Sequence, residues 1–363
     1  MKHPDFLHAY REAGVISRDD ITAAALLVEM ARRDAAAEPE RLTWLGMCLA
    51  LRTVRDGHTC VDFDQIKSWA REIELESETH LHWPTDAEPW IAGLKAATTL
   101  VGKPGDRKPF ILDGRRLYLA RSHAEEVTIA TAILARAVAG TISILLGGPG
   151  TGKTTKVAQD LVKRFQQDEA SGKTTAVALA APTGKAAARM AEALRNACTK
   201  GNFDASAAAK DRILLLKPTT VHKLLGSNPS RGNRFEYRAD NRLPYDLVIV
   251  DEASMLSSSL MHHLLAAVRD DAMIMLVGDP DQLASVDAGT ALGDIAVFGR
   301  DDYAGTALYA CIETLRECHR TESPEILKLA EAIRSENTAR ARELLSSGRD
   351  PVAWVDPAHT KSL

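Results

Sequence analysis

The residues best suited to chemistry in this chain form a glycine-rich run that ends in lysine and threonine. Residues 147 to 154 read Gly-Gly-Pro-Gly-Thr-Gly-Lys-Thr, after an apolar run at 141–146 and before a helix-favouring segment at 155–162. Glycines let the backbone approach an anion, and successive N–H groups at a helix N-terminus then point at phosphates. Lys153 adds a mobile positive charge, and the Thr154 hydroxyl is a ligand for Mg²⁺. The pattern predicts a phosphate-binding loop (P-loop) for a nucleoside triphosphate, held by Gly147, Gly148, Pro149, Gly150, Thr151, Gly152, Lys153, Thr154 and Thr155.

A second group of candidate catalytic residues follows two apolar runs further along the chain. The run at 247–250 ends in Asp251 and Glu252, and the run at 272–277 leads to Gln282. In an open parallel sheet, ligands gather at the carboxyl ends of the strands, so Asp251 is predicted to face the P-loop and bind Mg²⁺. Glu252 can orient and deprotonate an attacking water. The Gln282 amide both donates and accepts hydrogen bonds, so it can sense a γ-phosphate.

The elements that must position these residues alternate between strand and helix from about residue 110 to 305. Short, continuous apolar runs of this kind are typical of parallel strands covered by helices on both faces. The segments between them carry apolar residues on one helical face. We therefore expect a doubly wound α/β domain. The predicted strands are residues 141–146, 175–181, 247–250 and 273–277.

The regions outside this alternation are of two kinds. Residues 1–105 carry helical periodicity and predict a small, mainly helical domain, which ends in a stretch at 101–110 that is rich in Gly, Pro and charge. Residues 226–243 are polar and turn-rich, and in them Phe235 and Tyr237 alternate with charged residues. This segment is either a solvated β-hairpin or a hairpin that contacts nucleic acid.

Composition excludes several classes of protein. The 363 residues are 45% hydrophobic and 26% charged, which is ordinary for a soluble globular protein. A net charge of −4 argues against a chain that coats nucleic acid through bulk positive charge. Five cysteines without a CxxC pair predict reduced thiols. The absence of a long apolar window and of a secretory signal predicts a cytoplasmic protein with no membrane segment.

Taken together, the motifs resemble those of superfamily 1B helicases, and most specifically the RecD family, the alpha subunit of exodeoxyribonuclease V (RecBCD). The resemblance rests on the P-loop and on the segments 181–186, 220–225, 250–256 and 278–283, which read Ala-Pro-Thr-Gly-Lys-Ala, Thr-Val-His-Lys-Leu-Leu, Val-Asp-Glu-Ala-Ser-Met-Leu and Gly-Asp-Pro-Asp-Gln-Leu. Three further segments, 57–63, 116–121 and 315–320, extend it over nearly the whole chain.

The resemblance implies an ATP- and Mg²⁺-dependent 5′ to 3′ DNA helicase subunit. Such a subunit works with RecB-like and RecC-like subunits, as a heterotrimer, on single- and double-stranded DNA ends in double-strand break repair and recombination. It implies a RecA-like P-loop NTPase core at 106–305. It also implies that the domain at 1–105 docks onto the RecC-like subunit. The chain lacks the usual adenine-reading glutamine ahead of the P-loop, so the preference for ATP comes from the resemblance alone.

Two further sets of site residues come from the resemblance. The residues implied to lie near single-stranded DNA are Pro182, Thr183, Gly184, Lys185, Thr220 and His222. For His222, a plain position at a helix start or in the core is an equal alternative. Arg320 matches the motif IV arginine that reaches the γ-phosphate. With it, the predicted catalytic residues are Lys153, Asp251, Glu252, Gln282 and Arg320.

The family pattern continues beyond Leu363 with a second RecA-like domain that carries motifs V and VI. Residues 306–363 are therefore expected to begin an incomplete second motor domain, and the chain is expected to be truncated. One alternative is a nucleotide-binding and partner-docking fragment with little or no helicase activity. Another is an AAA+ ATPase, which the segment at 278–283 makes less favoured.

Overall fold

Two β-sheets organise the part of the chain that the structure describes. The structure is a computed structural model, and it describes residues 3–32, 38–77, 81–84, 86–200, 205–228, 234–282, 288–316, 323–335, 337–347 and 352. One sheet belongs to the N-terminal region and the other to the predicted motor core. No helix in the described part of the chain combines the length and the apolar character needed to cross a bilayer.

The N-terminal region packs five helices around a small sheet with strand order β1-β4-β3-β2. Trp44 and Trp90 are almost fully buried in its core, and the Trp90 ring stacks on Phe63 at 5.1 Å. The helices are α1 (Leu7–Glu12), α2 (Arg18–Arg32), α3 (Arg41–Arg55), α4 (Ile66–Ser77) and α5 (Glu88–Ala96). The strands are β1 (Cys60–Asp62), β2 (Val101–Gly102), β3 (Phe110–Asp113) and β4 (Arg116–Leu119).

This small sheet crosses the predicted domain boundary at residue 105. Strand β1 pairs antiparallel with β4, with Cys60 opposite Tyr118. Strands β3 and β4 form a hairpin that completes the sheet. The hairpin therefore shares its hydrogen bonding with the residues before 105. The division into three domains stays a prediction.

The predicted motor core, called the motor core below, is built on a parallel sheet with strand order β10-β5-β9-β8-β6-β7. Its strands are β5 (Ile142–Gly147), β6 (Val177–Ala181), β7 (Thr219–Thr220), β8 (Leu247–Val250), β9 (Met273–Gly278) and β10 (Ile312–Leu315). Its helices are α6 (Ala120–Ala139), α7 (Lys153–Ser171), α8 (Gly184–Lys200), α9 (Ala207–Leu215), α10 (Val221–Leu224), α11 (Ser258–Ala267) and α12 (Ala291–Ala296). Two more helices follow, α13 (Pro324–Arg334) and α14 (Thr338–Ser346).

Helices cover both faces of this sheet, as the apolar runs predict. Ile144 of β5 belongs to the core shared with α6 and α11, whereas the next residue, Leu145, belongs to the core shared with α7, α8 and α9. The central strand β8 is buried along its whole length. The doubly wound α/β fold and the four predicted strands are confirmed. Because the strands are parallel, β5, β6, β8 and β9 deliver their carboxyl ends to one edge.

Strand β10 pairs with β5 at the edge of this sheet, with Ile312 opposite Ile144. Residues 312–315 thus lie in the first motor sheet, although the sequence prediction assigned everything after 305 to a second domain.

The structure also describes part of the polar segment at 226–243. Phe235 and Tyr237 are half-buried against the core, and Arg238 and Asn241 close a tight turn with backbone hydrogen bonds of 2.8 and 3.0 Å. Because both aromatic rings pack inward, the interpretation without nucleic-acid contact fits better, although the described residues of this segment form a single bridge and no β-hairpin.

Candidate active site

The P-loop joins the end of β5 to the start of α7. Gly150 and Gly152 have φ values of 81° and 86°, a left-handed conformation that side chains with a Cβ rarely adopt. At Gly147 the constraint is space, because a Cβ there would lie 2.5 Å from Thr151 Oγ1 and 3.0 Å from the Leu315 carbonyl oxygen. The loop conformation therefore depends on glycine at these three positions.

Lys153 and Thr151 hold the loop closed through its own carbonyl groups. Lys153 Nζ donates to the carbonyl oxygens of Gly147 and Gly148, at 3.1 Å for Gly148. Thr151 Oγ1 donates to the Gly148 carbonyl at 2.9 Å. These contacts place the ammonium group at the mouth of the loop, where a phosphate would meet it, with Thr154 on the first turn of α7 beside it.

Asp251 and Glu252 follow β8 directly and face the P-loop. The Asp251 N–H continues the sheet by donating to the Ala180 carbonyl at 2.9 Å. Asp251 Oδ1 accepts a hydrogen bond from the Glu252 N–H at 2.9 Å. Burial raises the pKa of the Asp251 carboxyl and the Glu252 charge adds to this, while the Glu252 N–H and the Lys153 ammonium oppose it. A carboxylate in this setting gains stability from a nearby cation.

Glu252 is strained and incompletely bonded. Its φ and ψ of 52° and 39° make it the one non-glycine residue with a positive φ among those described. Its Oε2 atom is buried and has no hydrogen-bond partner within the described chain. Strain of this kind costs about 1–3 kcal/mol and persists where the surroundings impose it, often at functional sites. A buried carboxylate oxygen without a partner indicates a site for water or ligand.

Gln282 lies in the turn after β9 and also faces the P-loop. The buried Asp279 begins a turn in which its Oδ1 accepts from the Asp281 N–H at 3.1 Å. The Gln282 N–H donates to the Asp279 carbonyl at 3.2 Å. This turn directs the half-buried Gln282 back toward the P-loop.

One cleft of about 1330 Å³ collects these residues. That volume is ample for a nucleoside triphosphate, since small-molecule sites usually span roughly 300–1,000 Å³. Its walls include the P-loop from Gly148 to Thr155 and the side chains of Asp251, Glu252 and Gln282. Gly147 lines a second cavity of about 1090 Å³, which shares Gly148, Pro149 and Thr151 with this cleft. The fit to a triphosphate with a divalent cation is good, because the P-loop offers N–H groups, Thr154 a hydroxyl, and Asp251 a carboxylate.

The residues predicted to contact DNA divide between two places. Thr183 and Lys185 line the nucleotide cleft itself, and Thr183 Oγ1 accepts from the Ala186 N–H at 3.2 Å at the start of α8. Thr220 Oγ1 caps α10 by accepting from the Lys223 N–H at 3.2 Å. His222, on α10, is exposed, and its ring lies 5.9 Å from that of Phe235. Pro182 lies in the turn between β6 and α8, and Gly184 is the first residue of α8. The DNA contacts stay predictions.

Arg320 lies outside the described residues. Sequence reasoning also missed two basic residues that the structure brings to the cleft, Lys156 and Arg189. Lys156 Nζ lies 3.0 Å from Asp160 and 3.3 Å from Glu313, which ties α7 to the edge strand β10. Arg189 stands one helical turn after Lys185 on α8, and this i, i+4 spacing is the signal that could have predicted it.

Both regions of the chain are similar to known proteins. The family model described as the RecBCD enzyme subunit RecD, N-terminal domain, matches residues 12–118, and an AAA domain model matches residues 130–288. The RecD subunit of the RecBCD enzyme from Mycolicibacterium smegmatis is 37% identical over 350 residues, which cover 88% of this chain and 59% of that protein. The corresponding subunit from Mycobacterium tuberculosis is 37% identical over 383 residues, covering 96% and 61%.

The chain is thus similar to RecD subunits over nearly its whole length, and its N-terminal region matches the RecD N-terminal domain. The resemblance that the motifs indicated is thereby confirmed, and the AAA domain match concerns the P-loop core alone. A further relative, the ATP-dependent RecD2 DNA helicase of Deinococcus radiodurans, is 41% identical over 151 residues, covering 41% of this chain and 17% of that protein. The chain spans about six tenths of the length of the RecD subunits from the two mycobacteria.

Proposed function

We propose that this chain carries the nucleotide-hydrolysing motor of a RecD-type DNA helicase subunit that moves 5′ to 3′. The observation that carries the proposal is the convergence of Lys153, Asp251, Glu252 and Gln282 on one cleft. In this assignment Lys153 binds the β- and γ-phosphates, and Gln282 senses whether the γ-phosphate is present. Sequence similarity to proteins named as RecD subunits and as a RecD2 helicase supports the same function.

Thr154 and Asp251 are the residues that would hold Mg²⁺ in this cleft. When bound, the ion neutralises charge that develops on the phosphate oxygens. Glu252 has the separate task of orienting and deprotonating the attacking water. Its buried, unpartnered Oε2 is available to accept that proton.

The substrate and partners proposed are those of the family. The proposed substrates are single- and double-stranded DNA ends. The proposed partners are RecB-like and RecC-like subunits, in a heterotrimer that acts in break repair and recombination. The proposed location is the cytoplasm. We propose that the N-terminal region docks the RecC-like subunit and that its boundary lies after Leu119, since β3 and β4 belong to its sheet. The docking-fragment alternative is less favoured, because the described cleft retains both carboxylates, the lysine and the glutamine.

The first test is ATP hydrolysis by the purified chain, with and without single-stranded DNA. We expect Lys153→Ala to weaken nucleotide binding about 100-fold, since it removes roughly 3 kcal/mol of charge-assisted hydrogen bonding. Lys163→Ala is the matched control, because Lys163 is exposed on the same helix. Unchanged nucleotide affinity in Lys153→Ala would contradict the P-loop assignment. Hydrolysis that DNA does not stimulate would argue against the motor function.

A further inference from the structure

Helix α6 has a fixed inner face and an apolar outer face. On the inner face, the buried Arg136 donates to the carbonyl oxygens of Ala272, Val268 and Arg269 at 3.0, 2.8 and 2.9 Å. On the outer face, Val127, Leu134 and Val138 are 50%, 52% and 80% exposed. Their spacing of seven and four residues places them on one side of the helix, over a length of roughly 16 Å. Aliphatic side chains exposed in a row are more informative than single exposed ones.

A small cavity opens beside this row. It has a volume of about 220 Å³, and its apolar walls include Ile133, Leu134, Phe298 and Leu308. Ile133 and Leu308 are almost fully buried, so the floor of the cavity belongs to the domain core. The volume is below the roughly 300–1,000 Å³ of small-molecule sites and suits one or two inserted side chains. The exposed row and this cavity together form the α6 groove.

The rim of the α6 groove is acidic. Glu126 and Asp294 both line the cavity. Burial raises the pKa of the Asp294 carboxyl and the Glu126 charge adds to this, while Arg116 opposes it. Within the described part of the chain, neither carboxylate has a cation within 4.0 Å. The groove therefore offers apolar contact flanked by carboxylates that a basic side chain would stabilise.

We propose that the α6 groove docks an amphipathic helix of a partner polypeptide, with aliphatic residues at i, i+4 and i+7 and with Lys or Arg beside them. This is the helix-in-groove mode, in which anchors at those spacings fill an apolar channel. Insofar as the partner belongs to the RecBCD-type assembly, the inference rests on the proposed function. It adds a docking surface on the motor core itself, separate from the N-terminal region.

The negative charge of the groove rim favours a basic helix over the other possible occupants. A second copy docked on the same groove through a two-fold axis would bring the Glu126 and Asp294 carboxylates of both copies together, which is unfavourable without added cations. An anionic lipid surface would meet the same repulsion. A basic helix gains both the apolar contact and the ion pairs.

The test uses the whole chain and two fluorescent helical peptides. Both carry leucine at i, i+4 and i+7, one flanked by lysines and the other by glutamates. We expect fluorescence anisotropy to show binding of the lysine peptide at least tenfold tighter than that of the glutamate peptide. Leu134→Asp should weaken the lysine peptide at least tenfold. Leu215→Asp should not, because this control leucine is 76% exposed at the end of α9, away from the groove.

Several outcomes would overturn the inference. Equal binding of the two peptides would remove the charge argument, and equal binding to Leu134→Asp and wild type would place the peptide elsewhere. Self-association in sedimentation that Leu134→Asp abolishes would assign the groove to a second copy. Thermal melting of each variant checks that it is folded. ATP hydrolysis by the wild type is measured in parallel. If the wild type does not hydrolyse ATP, the proposed function is contradicted, whereas the peptide result still tests the groove.

Discussion

Two carboxylate centres in the motor core differ in how completely they are bonded. Asp168, near the C-terminal end of α7, is 5% exposed and accepts from the Thr175 N–H and Oγ1, both at 2.8 Å, and from Arg212 at 2.9 Å. Although burial opposes it, these hydrogen bonds lower the pKa of the Asp168 carboxyl. At Asp251 the balance is reversed, and burial raises the pKa. Glu252 beside it keeps a buried oxygen without a partner.

We propose that this difference separates a structural centre from a functional one. Arg212 also lies over the Phe165 ring at 3.8 Å, so the Asp168 cluster connects α7, α9 and the segment that leads into β6. A fully satisfied buried network fixes structure. An unsatisfied carboxylate on strained backbone is stable only where a ligand or water completes it. Helix α7 therefore has its P-loop end open to ligand and its other end anchored.

The largest expected effect is on turnover at the open centre. Glu252→Gln removes the proton acceptor while keeping the side-chain shape, so we expect the hydrolysis rate to fall by about 10²–10⁴-fold with nucleotide affinity nearly unchanged. The measurement pairs steady-state ATP hydrolysis with binding of a fluorescent nucleotide. Glu192→Gln, at an exposed position on α8, is the control. Persistent turnover in Glu252→Gln would show that another group acts as the base.

At the anchored centre the expected effect is on stability instead. Asp168→Asn breaks a buried, charge-assisted network, and we expect the free energy of unfolding to fall by about 3 kcal/mol at pH 7. Urea unfolding measures this, and nucleotide affinity in the folded variant should stay at the wild-type value. A loss of affinity without loss of stability would move Asp168 into the functional site.

The pH dependence of the free energy of unfolding tests the Asp168 centre further. Because folding lowers the pKa of Asp168, its contribution to stability is complete above the unfolded value of about 3.9 and is lost as the pH falls through the folded value. The stability difference between wild type and Asp168→Asn should therefore be constant from about pH 7 to 5 and shrink below about pH 4. A difference that persists unchanged at pH 3 would contradict the assigned shift.

These centres also show how far sequence reasoning reaches. The P-loop, Asp251, Glu252 and Gln282 follow recognisable motifs at the ends of apolar strands, so their shared position at one sheet edge could be predicted. The Asp168 cluster could not, because Arg212 lies on another helix and its contact with Asp168 leaves no local pattern. The strain at Glu252 was equally invisible, since it depends on how the chain leaves β8.

The strands missed from the sequence have a similar explanation. Strand β10 is an edge strand with Glu313 and Thr314 exposed, so it lacks the continuous apolar run that marks β8. Strand β1 is three residues long and pairs with β4, far along the chain. Such pairing is specified by tertiary packing more than by local propensity. The prediction of a mainly helical N-terminal domain therefore held for its helices and omitted its sheet.

The smallest expected effect isolates the backbone strain at Glu252. Glycine adopts a left-handed conformation at little cost, whereas alanine incurs about 1 kcal/mol there. Both substitutions remove the carboxylate, so a difference in stability between Glu252→Gly and Glu252→Ala reports the backbone alone. We expect Glu252→Gly to unfold in urea with a free energy about 1 kcal/mol higher than Glu252→Ala, and both to be inactive. If the alanine variant is as stable as the glycine variant, the left-handed conformation is imposed by the carboxylate itself and relaxes once the side chain is removed.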